Sequence, residues 1–319
     1  MITVLTGGTG GAKLVWGLAQ VVPQEELTCI VNTGDDMHWW GLRISPDLDS
    51  ITYVLAGLLS RERGWGFEGD TFECLARMRA LGAETWFRLG DRDLATHLRR
   101  TQLLADGQTL TQVTRHISEA LGVKARILPM SNTAVETRVH TPHGELNFQE
   151  YFVRERFQCA VIEVDFCGIS EAKPAPGVLD AIQTSEAVLL APSNPVTSIG
   201  PILGVAGIRD ALRTTSAPVV AVSPIIGGAA VSGPAADLMR AYSLHPSASG
   251  IAEAYRDFLN ALVIDEKDAG ESTRIERFGI RAVLAQTVMN TDQAKIELAR
   301  AVVEAARHHA AKSAGIGKQ

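Results

Sequence analysis

Residues 1–14 read MITVLTGGTGGAKL: an apolar run at 2–5, then Thr6-Gly7-Gly8-Thr9-Gly10-Gly11, then the helical spacing Leu14, Leu18, Val21. This pattern predicts a strand, a glycine turn and a helix. Glycines let a ligand approach the main chain, and a helix start offers unspent N–H groups and the positive end of a dipole, so the turn is expected to seat a phosphate. The match to known phosphate loops is incomplete. Lys13 stands where a dinucleotide fingerprint has its third glycine, and Leu14 follows it where a P-loop has Ser or Thr. Lys13 is expected to add charge to the seat.

Outward from this unit the chain alternates. Apolar strands are expected at 27–31, 124–130, 160–166, 187–191, 218–222, 261–265 and 282–285, and helices at 49–58, 174–182, 199–212, 234–243, 249–260 and 291–311. Residues 135–153 look β-like, with a hairpin turn at 140–144. Residues 61–122, rich in Arg and Leu at helical spacing, read as a mainly helical insertion. The expectation is an α/β fold over 1–319 as a single domain: a Rossmann-like, mostly parallel sheet with helices on both faces. Ligands of such sheets lie beyond the carboxyl ends of the strands. Here those ends carry GGTGG, NTGDD, APSNP and SPIIGG. The last ten residues read as a frayed tail.

Bulk properties narrow the function. The chain has 319 residues, 46% hydrophobic and 21% charged, with a net charge of −6. That balance argues against a nucleic-acid binder, which needs many phosphate contacts. No apolar run reaches the roughly 18–20 residues that span a bilayer, so no membrane partner is expected. The N-terminus shows no basic leader before its strand. Cys29, Cys74, Cys159 and Cys167 lie apart in apolar contexts, read as reduced core thiols of a cytoplasmic protein.

The chemistry-bearing residues cluster at the strand ends. Asp35 and Asp36 follow the second strand, and Asp47 and Asp49 stand at a helix start. Alone, Asp49 reads as a helix N-cap. As a set beside a phosphate, the aspartates call for a cation, and Mg²⁺ takes one or two carboxylates plus phosphate oxygens and water. In WFRLGDRD at 86–93, Trp86 and Phe87 could stack on a flat ring while Asp91 and His97 meet its polar edge. Ser193-Asn194 in PSNP, Ser198 at the next helix start, and Pro224 in SPIIGG suggest further nucleotide contacts. Nothing supports nucleophilic acyl transfer or a hydride-transfer pair.

Seven segments carry a resemblance: GGTGGAKL (7–14), VNTGDD (31–36), SPDLDS (45–50), WFRLGDRDLATHLRR (86–100), FQEYFVRER (148–156), APSNPVTSIGPIL (191–203) and SPIIGG (223–228). In this order they resemble the CofD-type 2-phospho-L-lactate transferases. The resemblance implies a Rossmann-like homodimer acting in assembly of the deazaflavin coenzyme factor 420. It implies transfer of a three-carbon phosphoryl unit (phospholactyl, phosphoenolpyruvyl or phosphoglyceryl) from a guanosine diphosphate donor to the ribityl hydroxyl of the deazaflavin Fo, with Mg²⁺ required and GMP released. Carried over by position, Gly7, Gly8, Thr9, Gly10, Gly11, Lys13, Ser193, Asn194, Ser198 and Pro224 would hold the donor. Asp36, Asp47 and Asp49 would bind the metal or deprotonate the acceptor. Asn32, Trp86, Asp91, His97 and Arg100 would face Fo. One departure is AAVS at 229–232, where many relatives carry a basic residue. The competing reading is a related nucleotide-sugar-binding regulator family, which shares the GGTG start; SPDLDS favours the transferase.

Overall fold

The computed structural model describes residues 1–230 and 233–316, with side chains to residue 309. Seven parallel strands form the central sheet: β1 (Ile2–Thr6), β2 (Leu27–Val31), β5 (Arg126–Pro129), β9 (Ala187–Leu190), β10 (Val219–Val222), β13 (Ala261–Asp265) and β14 (Arg281–Ala285). Their order is β14-β13-β10-β9-β1-β2-β5. The chain winds outward from β1 through β2 to β5, then returns to the other side of β1 at β9. This reversal opens a crevice at the carboxyl ends of β1 and β9, where doubly wound sheets bind ligands.

The strands are buried on both faces, which is why they read as continuous apolar runs. Leu5, Ile30, Leu128, Leu190 and Leu262 fill one core, and Val4, Cys29, Ile127, Leu189 and Val263 the other. The first core is covered by α6 (Val178–Thr184), α7 (Ile199–Gly204), α8 (Ile208–Thr214), α9 (Ala235–Ala241), α10 (Ala248–Ala254) and α11 (Ser272–Glu276). The second is covered by α1 (Thr9–Val21), α2 (Pro46–Leu55) and α12 (Asp292–Ile316). A Cβ on Gly17 would lie 2.3 Å from the Lys295 carbonyl oxygen, so α1 can approach the α12 backbone this closely only at a glycine.

Several elements depart from the expectation. Residues 37–44 form a hairpin, β3 (Met37–Trp39) and β4 (Leu42–Ile44), turned at Trp40 and Gly41 with φ of 51° and 77°. Two positive φ values suit the right-handed twist of a tight hairpin. The strand foreseen at 160–166 leaves the central sheet. As β8 (Glu163–Cys167) it pairs antiparallel with β6 (Glu136–Thr141), which also pairs with β7 (Gly144–Asn147). After β7 the chain coils into a helical turn at Glu150–Arg154 rather than extending. The single helix foreseen at 199–212 is broken into α7 and α8, with Gly207 at φ 87° between them. A short ribbon, β11 (Ile225–Ile226) with β12 (Ala229–Ala230), follows the SPII turn.

Residues 61–72 are irregular, and the helices of the 61–122 stretch are α3 (Glu73–Ala80), α4 (Asp91–Ala105) and α5 (Leu110–Ala120). The helical backbone of α12 continues to Ile316, into the stretch read as a tail; residues 317–319 of that tail lie outside the described residues, as do Val231 and Ser232 of the AAVS segment. Of the four cysteines only Cys29 is buried; Cys167 is exposed, so the reading of four core thiols does not hold. Among the described residues no helix is long and apolar enough to cross a membrane.

Candidate active site

The glycine loop joins β1 to α1 at the sheet reversal. Its glycines keep ordinary negative φ, and what they provide is close approach. A Cβ would lie 2.5 Å from Ser198 Oγ at Gly7, 2.4 Å from Asp47 Oδ1 at Gly8, 2.7 Å from the Pro192 carbonyl oxygen at Gly10, and 1.8 Å from Thr6 Oγ1 at Gly11. The loop is clamped between the start of α2 and the β9 loop, and Gly7 N–H donates to Ser193 Oγ at 3.0 Å. Gly8 caps α1 without any side-chain acceptor, leaving the first N–H groups of the helix unspent toward the cleft.

That cleft has a volume of about 710 Å³. Gly8, Thr9, Gly10, Lys13, Ser193, Asn194, Ser198 and Pro224 line it, whereas Gly7 and Gly11 lie behind the lining as packing residues. Lys13 is exposed and makes no ion pair among the described side chains. Asn194 Oδ1 accepts from Val196 N–H and Thr197 N–H at 2.9 and 3.2 Å, which fixes the PSNP turn.

The four aspartates separate into different tasks. Asp35, Asp47 and Asp49 line the cleft; Asp36 does not. Asp36 instead accepts from Ser45 Oγ at 2.7 Å and from Arg43 at 3.2 Å. Burial pushes its carboxyl up to about 6, against the pull of Arg43 and Ser45. Asp47 is buried beside the loop, and Asn32 Nδ2 donates to its Oδ2 at 3.0 Å. Burial, partly offset by Asn32 and reinforced by neighbouring aspartates, raises Asp47 to about 7. Asp35 is likewise held well above its ordinary range, first by burial and then by the charge of Asp47, and its Oδ1 is buried with no hydrogen-bond partner.

Asp49 is not an N-cap. The helix begins at Pro46 with Ser45 as cap, and Asp49 N–H already donates to the Ser45 carbonyl at 3.0 Å. Both Asp49 oxygens face Arg100, one through NH1 at 3.1 Å and the other through a shorter contact with NH2. The triad Asp36, Asp47 and Asp49 is therefore not brought together as a ligand set. Among the described residues no three His, Cys, Asp or Glu side chains converge as metal ligands. Asp35 and Asp47, with an orphaned oxygen and mutual repulsion and with Asp47 against the glycine loop, would suit a Mg²⁺ that completes its shell with ligand oxygens and water.

Opposite the glycine loop, α4 carries a buried polar chain. Tyr53 Oη donates to Asp93 Oδ1 at 2.7 Å, His97 Nε2 lies 3.3 Å from that oxygen, and His97 Nδ1 lies 3.2 Å from Arg100 NH1. Burial would raise Asp93, but His97, Tyr53 and Arg100 outweigh it and hold the carboxyl below its usual range. His97 lines the cleft; Arg100 is 3% exposed and lies behind it, holding Asp49.

Trp86 also lines the cleft, packed edge-on against Trp39 with ring centroids 4.6 Å apart. Asp91 is elsewhere. It accepts from Glu73 N–H and Cys74 N–H, both at 2.9 Å, and so caps α3. In return Asp70 accepts from Arg92 N–H at 2.8 Å and caps α4. Asn32, fully buried, spends its amide on Asp47, the Thr197 carbonyl and Gly34 N–H, beneath the cleft rather than in it.

Residue-by-residue reading missed several lining groups. Arg63 and Arg88 bring two cations, and both guanidinium groups flank the Phe72 ring, at 5.3 and 4.8 Å. Phe148, Phe152 and Phe157 form a stacked ladder with centroids 5.5 and 5.6 Å apart. FQEYFVRER hinted at it through its aromatic content, but Phe157 turns in only because Arg156 and Phe157 adopt φ of 52° and 47°.

Comparison with known proteins supplies the family. The family described as 2-phospho-L-lactate transferase CofD matches residues 2–306. A 2-phospho-L-lactate transferase of Methanosarcina mazei is 45% identical over 302 residues, covering 95% of this chain and 99% of its own. A phosphoenolpyruvate transferase of Streptomyces griseus is 41% identical over 311 residues, covering 96% and 98%. In fold, the chain is similar to a crystal structure of a UPF0052 family member from Bacillus halodurans, with a TM-score of 0.63 at 16% identity over 95% of this chain and 98% of that one. This chain belongs to the CofD family of 2-phospho-L-lactate transferases.

Proposed function

We propose that the protein transfers a three-carbon phosphoryl unit from a guanosine diphosphate donor to the ribityl hydroxyl of Fo, releasing GMP, as a step in making coenzyme factor 420. The observation that carries this reading is the convergence of an anion seat, a carboxylate pair and an aromatic wall on one cleft of about 710 Å³. The family match and the printed names of the relatives point the same way. The same resemblance leads us to read the enzyme as a homodimer, and its scattered, unpaired cysteines lead us to read it as cytoplasmic.

Phosphoryl transfer asks a protein mainly to position two reactants and neutralise charge. The N–H groups at the start of α1 and Lys13 receive the donor's diphosphate. Asp35 and Asp47 would hold Mg²⁺, which when bound supplies positive charge to the phosphate oxygens. Asp49, fixed by Arg100, orients the attacking hydroxyl and takes its proton. The hydroxyl oxygen bonds to the phosphorus bearing the three-carbon group, and the bond from that phosphorus to the oxygen bridging to GMP breaks. Trp86 and the phenylalanine ladder offer flat apolar surface for the deazaflavin, and Arg88 offers hydrogen bonds at its edge. The regulator reading lacks comparable support, since the relatives at 45% and 41% identity carry transferase names.

The test is incubation of purified protein with Fo, Mg²⁺ and each of the three donors in turn, followed by mass spectrometry. The expected result is Fo extended by one phosphoryl three-carbon unit with one donor, and GMP in equal amount. No product from any donor would overturn the proposal.

A further inference from the structure

A second cavity, of about 480 Å³, opens beside the Asn32–Asp36 turn and shares no lining residue with the cleft. Its lining differs in charge. The cleft mixes four aspartates with Lys13, Arg63 and Arg88, whereas this cavity is lined by no carboxylate, and its ionisable groups are His38 and Arg43. These two stand directly opposite each other in the β3–β4 register. Placed this way, a guanidinium and an imidazole can both donate to one anion lying between them. Arg43 spends one N–H on Asp36 at 3.2 Å, and its side chain remains 18% exposed. A guanidinium has five N–H donors, so most stay available.

The cavity also contains an unanswered polar group. Thr33 is 2% exposed, lines the cavity, and its Oγ1 is buried with no hydrogen-bond partner. Buried hydroxyls are normally paired, and an orphan on a cavity wall marks a missing partner. Leu104 and Leu110 supply apolar surface on the same wall.

We propose that this cavity is a second binding site, for a small organic anion: a carboxylate or phosphate monoester. Its charged end lies between Arg43 and His38 within reach of the Thr33 hydroxyl, and its apolar body lies against Leu104 and Leu110. Arg43 then links the two sites, because an anion here competes with Asp36 for the guanidinium at the turn that also carries Asp35. The site does not depend on which reaction the cleft performs.

Calorimetric titration of the intact protein with phenyl phosphate and with benzoate tests this, with neutral benzamide as control. At least one anion is expected to bind, and benzamide not. Arg43→Gln should weaken that binding roughly tenfold or more, the scale of removing a charged partner. Ala105→Trp, at an exposed lining position, should block it by filling space, and His38→Ala, also at an exposed position, repeats the test if either variant misfolds. Lys13→Ala, in the cleft, should leave it intact. Whichever anion loses affinity in Arg43→Gln identifies the charged group. The proposal is overturned if neither anion binds, if benzamide binds equally, or if binding falls in Lys13→Ala and is unchanged in Arg43→Gln and Ala105→Trp.

Discussion

Asp47 and Asp36 are carboxyls whose neutral forms the fold favours. Burial raises them to about 7 and about 6 from an ordinary value of 3.8. The folded chain therefore keeps protons that the unfolded chain releases. Their contribution to stability is full below about pH 4 and is lost as pH rises through about 6 and 7. A cation at Asp35 and Asp47 would reverse this loss. Thermal melts should show a larger Mg²⁺-induced rise in Tm at about pH 8 than at about pH 5.5, and the difference should disappear in Asp47→Asn. An equal rise in the variant would place the metal elsewhere. Asp49 behaves differently because Arg100 sits on it. Asp49→Ala would strand a buried guanidinium at a cost of about 3–5 kcal/mol, confounding any activity loss. Asp49→Asn keeps the shape, and its kcat should fall by roughly 100-fold or more with the fold intact by circular dichroism. Near-normal turnover would remove Asp49 from the chemistry.

At the scale of elements, the helix starts show what sequence makes visible and what it hides. The β1–loop–α1 unit was legible because an apolar run, glycines and helical spacing are all local signals. The cap of α4 was not, because Asp70 reaches it from a preceding irregular segment, and Asp91 returns the service to α3. A residue such as Asp91 in a loop looks available to a ligand until its distant partner is known. Asp91→Ala is expected to cost about 1–2 kcal/mol of stability in denaturant melts and to leave the KM for Fo unchanged. A raised KM without loss of stability would restore it to the site. Gly8 is the opposite case. A Cβ there would lie 2.4 Å from Asp47 Oδ1, so Gly8→Ala should disrupt both the anion seat and the carboxylate beneath it. Isothermal titration with GDP should show at least roughly tenfold weaker binding; wild-type affinity would mean the loop is not the seat.

At the scale of the molecule, strand periodicity and the alternation of elements were enough to foresee a mostly parallel sheet covered on both faces. What the sequence could not convey was placement across the cleft. The β6–β7–β8 sheet was expected partly within the central sheet, and Phe148, Phe152 and Phe157 were not foreseen as a wall, since their stacking depends on contacts far apart in the chain. Arg63 likewise comes from irregular residues with no periodic signal. The central claim is that donor and acceptor meet in this one cleft. A crystal structure with a guanosine diphosphate donor, or GDP, and Fo tests it most directly. The account predicts phosphate oxygens within hydrogen-bonding reach of the N–H groups of Thr9, Gly10 and Gly11, and the deazaflavin ring against Trp86 with its ribityl chain toward Asp49. Fo bound outside the cleft, or a diphosphate away from the glycine loop, would contradict it.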